Sequence, residues 1–179
     1  MWTPWLGADL NSRNLPTATS RLDLPVDEEI VSSQRLTPTA VYRDGVAIIC
    51  EWQGRFSNAE VNALHSEAFG TRLYADEEWN WEALVARHSL GWVVARDGTR
   101  LVGFVNVLWD GLVHAWLQDT MVAVQHGRRG VGTQLVEAAR EGVRSAGCEY
   151  LHVDFEPHLA SFYIDACGFQ STPAGVMRL

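Results

Sequence analysis

Residues 125–132 read QHGRRGVG, and the chain continues directly into TQLVEAAREGVRSAG. Gly127, Gly130 and Gly132 surround two adjacent cations, Arg128 and Arg129, just ahead of an amphipathic pattern. A helix start already carries the positive end of the helix dipole. Two arginines left there without an anion would each cost about 0.3–1 kcal/mol. The arrangement makes sense around a bound anion, because the first N–H groups of a helix lack partners and point outward. Arg128, Arg129, Gly130, Val131, Gly132 and Thr133 are therefore expected to cradle phosphate, with the glycines letting oxygens approach the backbone. The spacing GxxGxG is neither the dinucleotide pattern GxGxxG nor the triphosphate pattern GxxxxGK(S/T).

Other reactive side chains lack partners at a useful spacing. His152, Asp154 and Glu156 alternate with Leu151, Val153 and Phe155, which places the three on one face of a strand. A polar outer face explains them better than a metal or a proton relay. His65, His88, His114 and His126 are scattered without ligand spacing, and no metal is expected. Cys50, Cys148 and Cys167 form no CxxC pair and read as reduced, structural thiols. All 14 basic residues are arginine, which excludes Schiff-base lysine chemistry and a Walker-type lysine.

These groups need a scaffold, and the pattern supplies one from Val46 onward. VAIICEW has strand length, and SNAEVNALHSEAFG carries a capping-box spacing at Ser57 and Glu60. A second helix is expected over DEEWNWEALVARH. GWVVAR, a DGT turn and LVGFVNVLW form a hairpin signal, and LVHAWLQDTMVAV a longer strand. After the glycine loop and its helix come EYLHVDF as a strand, PHLASFYIDAC as a helix, and GFQST and AGVMRL as closing strands. The order defines a mixed α/β domain with its sheet covered by helices. Residues 1–44 hold Pro4, Pro16, Pro25 and Pro38 and read as an irregular extension, with Trp2 and Trp5 as anchors or as part of a loose tail. The domain proper is placed at 45–179.

Composition narrows the class further. A chain of 179 residues, 47% hydrophobic, fits one domain with a sizeable core. The net charge of −8 weighs against nucleic acid and anionic membranes as partners. With no long apolar run and no basic leader, a cytoplasmic protein is expected. Arginine without lysine suggests a GC-rich bacterial genome.

The stretch MVAVQHGRRGVGTQL resembles the coenzyme A pyrophosphate loop of the GNAT acyltransferase superfamily, and FYIDACGF resembles its later helix, with a tyrosine shortly before Gly-Phe. The resemblance spans about Val46 to Leu179. It departs in two places: Gly127 stands where the family has Gln or Arg, and Tyr163 lies five residues before Gly168 rather than four. The fold implied is a mixed, mostly antiparallel sheet flanked by helices. The activity implied is N-acetylation of a primary amine on a small molecule, by direct attack on acetyl-CoA. An acyl-CoA-binding sensor without activity, or a transferase drawing on aminoacyl-tRNA, stands as the alternative.

The resemblance also implies roles for individual residues. Main-chain groups of Thr120, Met121 and Val122 would hold the oxyanion and the pantetheine arm. Tyr163 would protonate the thiolate and touch the donor. Asp119, in QDTMV, would be catalytic, binding the ammonium group and steering its proton toward water. The acceptor site would border AFGTRLYADEEWNW, where Asp76 and Trp79 offer charge and a cation–π face to a cationic amine. A homodimer is left open.

Overall fold

The computed structural model describes residues 37–43 and 46–178. Among them, six strands form one sheet in chain order: β1 (Thr39–Arg43), β2 (Val46–Trp52), β3 (Ser89–Asp97), β4 (Arg100–Trp109), β5 (His114–Val122) and β6 (Tyr150–Val153). Neighbours are antiparallel except β5 and β6, which run parallel. Parallel neighbours need a long crossover, and helix α3 (Val131–Ser145) provides it. Helices α1 (Asn58–Phe69) and α2 (Trp81–His88) follow β2. The expected mixed, mostly antiparallel sheet with helices is therefore present.

The core is built on both faces of β4, which is buried from Leu101 to Val107. Phe104 points toward α1 and α2, its ring meeting Trp81 and Phe56 at centroid distances of 5.8 and 5.4 Å. Its neighbour Gly103 faces α3, where a Cβ would stand 2.9 Å from Leu135. This is one place where only hydrogen fits. α1 starts as expected: Ser57 Oγ accepts from the Glu60 N–H while the Glu60 carboxylate accepts from the Ser57 N–H.

Four expectations are corrected. The sheet begins earlier than Val46, because Thr39–Arg43 pairs antiparallel with β2; residues 1–36, with Trp2 and Trp5, lie outside the described residues. The second helix begins at Trp81, not Asp76. Glu78 and Trp79 both donate to the Ala75 carbonyl in a turn, and Asn80 caps the helix by accepting from the Ala83 N–H at 2.8 Å. The segment PHLASFYIDAC forms a 3₁₀ turn and then a π-helix, Ser161–Ala166. The closing strands GFQST and AGVMRL do not form among the described residues. Gly168 at φ 79° turns the chain, and residues 171–178 are exposed. Pro173 and Gly175 are poor strand formers, and no partner among the described residues offers Val176 and Met177 burial.

Candidate active site

The glycine loop lies where β5 hands over to α3. Three bonds fix the approach: the Ala123 N–H donates to the Val102 carbonyl (2.9 Å), the Val124 N–H to Glu67 Oε1 on α1 (2.8 Å), and His126 Nε2 lies 3.1 Å from Asp97 Oδ2. Gly130 precedes the first turn of α3 at φ 81°, a left-handed conformation that glycine adopts without strain. A Cβ there would meet nothing within 4 Å, so the space over Gly130 is open. Gly132 differs. Its Cβ would stand 3.1 Å from the Phe162 ring, so this glycine lets an aromatic side chain pack on the helix start rather than clearing space for an oxygen.

A cavity of about 260 Å³ joins this loop to the end of β5 and the π-helix. It is lined by Thr120, Val122, Arg128, Gly130, Gly132, Thr133 and Tyr163, all singled out from the sequence. Arg129 is exposed and outside the lining. Met121 and Val131 are buried in the core, so only their main chains can serve a ligand. His126, Leu159 and Phe162 also line the cavity and were missed. Adjacency to the loop was the one signal for His126, and an aromatic doublet with Tyr163 the signal for Phe162.

Arg128 sits at φ 58°, while Gly127 has an ordinary φ of −58°. The glycine is thus one residue away from the position that would benefit most from it. Such strain on a non-glycine residue costs about 1–2 kcal/mol and gathers at functional sites.

Opposite the loop, β5 carries a bulge. Phe104 pairs with Met121 and Asn106 with Gln118, so Val105 faces two residues, Asp119 and Thr120. Asp119 adopts φ 51° and is half-buried. Burial pushes its carboxyl above the usual range, and the nearby His65 opposes that rise. On the other side, Tyr163 is 6% exposed and packed on Phe155 and Phe162 at 5.0 and 4.7 Å. Burial raises its hydroxyl, against a hydrogen bond from Thr120, so the phenol remains protonated at neutral pH. It is both a core aromatic and a cavity wall.

The π-helix resolves the odd spacing before Gly168. Its wider turns place one more residue per turn than an α-helix. The Cys167 N–H donates to the Phe162 carbonyl and the Phe169 N–H to Tyr163. The additional residue is absorbed after Tyr163, which keeps its inward orientation.

The loop between α1 and α2 is tied down by Asn62. Its Nδ2 donates to Asp76 Oδ1 (3.1 Å) and the Trp79 carbonyl (3.2 Å), and its Oδ1 accepts from Trp81 Nε1 (2.9 Å). Trp79 turns inward, joining Tyr74, Trp81 and His65 in an aromatic cluster. Glu78 is taken by Arg72 at 2.7 Å, and that pair holds its carboxyl down to about 2. His65, given no role from sequence spacing, is the centre of this cluster.

The remaining groups stay outside the cavity. His152 and His114 lie 2.8 Å apart across β5 and β6, beside Trp116 and Tyr150. No group of three or more His, Cys, Asp or Glu side chains that could hold a metal exists among the described residues. Burial raises all three thiols, Cys50 to about 11, which keeps them protonated and poorly nucleophilic. No helix among the described residues is long and apolar enough to cross a membrane.

A glycine loop at a helix start thus shares one cavity with the end of a bulged strand and a buried phenol. Residues 49–169 match the model of the Acetyltransferase (GNAT) family, and the chain belongs to that family: it is an acetyl-CoA-dependent N-acetyltransferase. No curated protein matches the sequence. Among solved structures, it is similar to a GNAT family acetyltransferase from Streptococcus pneumoniae, 24% identical, covering 74% of this chain and 97% of that one, with a TM-score of 0.59. The aminoglycoside N-acetyltransferase AAC(6')-Iy in complex with CoA is 18% identical over 78% of this chain and 98% of its own, with a TM-score of 0.61. Glucosamine-6-phosphate N-acetyltransferase from Arabidopsis thaliana is 15% identical over 73% and 97%, with a TM-score of 0.58. These likenesses establish the fold.

Proposed function

We propose that the protein transfers the acetyl group of acetyl-CoA to the primary amine of a small cationic molecule. The observation that carries this reading is the cavity that runs from the Gly130 loop to Thr120 and Tyr163. The pyrophosphate lies on the N–H groups of residues 128–133, with Arg128 and Arg129 neutralising it. The pantetheine arm follows the main chain of Thr120, Met121 and Val122. The thioester meets Tyr163, which donates its proton to the departing thiolate.

The acceptor enters from the α1 side of the bulge, where Asp119 attracts the ammonium group. Asp76 and Trp79 form the rim of that approach, held by Asn62. The net charge of −8 favours a cation. Two relatives of the same fold are described as aminoglycoside and glucosamine-6-phosphate N-acetyltransferases, both acting on amines of small molecules.

Thiol release from acetyl-CoA, measured against polyamines, aminoglycosides, amino sugars, amino acids and short peptides, tests this. Turnover with cationic amines, diminished in Asp119→Asn, is expected. Turnover restricted to neutral or anionic acceptors would overturn the acceptor class. Calorimetry showing no CoA binding would overturn the donor assignment.

A further inference from the structure

The reading above leaves one task without a residue: an amine that arrives as an ammonium ion must lose a proton before it can attack. Asp119 can attract that ion, but a carboxylate is a weak base at neutral pH. An imidazole suits the task better, because its ordinary pKa lies near the working pH. One imidazole is built into this side of the bulge.

His65 lies four residues after Val61 on the inner face of α1, and it is 8% exposed. Its Nδ1 is 3.1 Å from Thr71 Oγ1. Four rings fix its plane: Phe69, Trp79, Trp81 and Tyr74, at centroid distances of 4.9, 5.3, 5.8 and 5.9 Å. Its Nε2 makes no hydrogen bond among the described residues. Nε2 is not among the enclosed polar atoms that lack a partner, so it stays open to an incoming group while Nδ1 is anchored.

The charged and polar groups around that ring come from three directions. From β5, against which α1 packs, comes Asp119, held in a left-handed conformation by the bulge, and the imidazole acts electrostatically on its carboxyl. From the loop come Tyr74, whose ring carries Arg72 at 4.3 Å, and the hydroxyl of Thr71. Asp76 is engaged by Asn62 and Glu78 by Arg72. The inward residues of α2 and β4 here, Trp81, Val85 and Phe104, are uncharged.

We propose that His65 Nε2 is the base that deprotonates the acceptor ammonium, with Asp119 stabilising the imidazolium that results. The step balances. One proton passes from R–NH₃⁺ to Nε2 and leaves for water. The freed nitrogen pair forms the N–C bond as the carbonyl electrons move to oxygen. Collapse breaks the C–S bond, the thiolate takes the Tyr163 proton, and the excess proton on nitrogen restores the phenol. Acetamide, free CoA and one proton are the products.

The inference rests on the acetylation of a cationic amine proposed above, and the test separates the two. His65→Gln and wild type are compared with acetyl-CoA and two probes, spermidine and kanamycin, from pH 6 to pH 10. At neutral pH, kcat/KM for the amine should fall by about 10²–10⁴-fold with the acetyl-CoA KM unchanged. The deficit should shrink as pH rises, because the amine then arrives already neutral. A deficit equal at every pH, as a packing role would give, or no deficit at all, overturns the proposal.

If wild type turns over neither probe, neither is the acceptor, and NMR titration of the Asp119 carboxyl decides the pairing. His65→Gln should then raise the Asp119 midpoint, since it removes the influence that opposes burial. An unchanged midpoint would show that the two groups do not share a site. Should the glutamine variant fail to fold, His65→Asn, which also removes the imidazole, carries the same readouts.

Discussion

Gly130 and Gly111 form a matched pair that isolates the role of the donor loop. Both have φ 81°, and at both a Cβ would meet nothing within 4 Å. Alanine at either position therefore brings the same backbone strain, about 1–2 kcal/mol, and no clash. Gly111 lies in the turn between β4 and β5, whose Asp110 carboxylate accepts from the Leu112 and His114 N–H groups. Gly130 lies directly before the first N–H groups of α3. In Gly130→Ala the empty loop relaxes to an unstrained shape, and CoA binding must restore the strained one. The affinity should then fall by that same free energy, about 5- to 30-fold. Gly111→Ala should lose comparable thermal stability, about 2–4 °C per kcal/mol, with CoA affinity intact. Calorimetry with CoA alongside thermal melts measures both quantities. Equal affinity in the two variants would refute the cradle, and with it the reason for a glycine at position 130.

Three further outcomes follow from other parts of the fold. Tyr163→Phe should lower kcat by about 10²–10⁴-fold with little change in the acetyl-CoA KM, in steady-state thiol-release kinetics; wild-type turnover would return Tyr163 to packing alone. Gly142→Ala should destabilise the fold by about 1–3 kcal/mol in urea denaturation, because its Cβ would lie 2.4 Å from the Trp52 ring between α3 and β2. Arg96 donates to Glu60 at 2.8 Å and holds its carboxyl below the usual range, so stability from this pair is present above pH 4.5 and lost as pH falls through the lowered value. Melting temperature against pH should accordingly drop less steeply on the acid side in Glu60→Gln than in wild type.

What could be read from sequence was local. The capping box at Ser57 and Glu60, the hairpin at Gly98 and the glycine loop each depend on residues within a few positions of one another. All three form. The cluster around His65 was illegible because its partners are set by tertiary contact: Asn62 meets Trp81 19 residues away, and Asp119 comes from another element altogether. Spacing searches treat such a histidine as isolated. The closing strands failed for the opposite reason. GFQST and AGVMRL have strand-like stretches, but a strand needs a partner edge and a covered face, and among the described residues neither exists for residues 171–178. The spacing of Tyr163 from Gly168 was visible as an anomaly, yet only the π-helix shows where the extra residue goes.

The bulge on β5 is what makes a two-sided site possible. Residues 118 and 121 of a regular strand would point to opposite faces. Here Gln118 pairs with Asn106 and Met121 with Phe104, and those two β4 residues share a face. The extra residue therefore resets the alternation in the middle of the strand. Asp119 absorbs the reset through its left-handed backbone, which aspartate tolerates better than a branched residue would. Its carboxylate feels the His65 imidazole on α1, while the next residue, Thr120, lines the donor cavity with Tyr163. Two consecutive residues thus serve opposite sides of the same sheet position. A nucleophile attracted by one and a thioester held beside the other would meet across the bulge, where ladder hydrogen bonds are interrupted and main-chain N–H groups are available to a developing oxyanion. Asparagine at position 119 keeps the backbone tolerance and removes the charge. That is why Asp119→Asn, and not valine or alanine, separates the electrostatic role of this residue from its structural one.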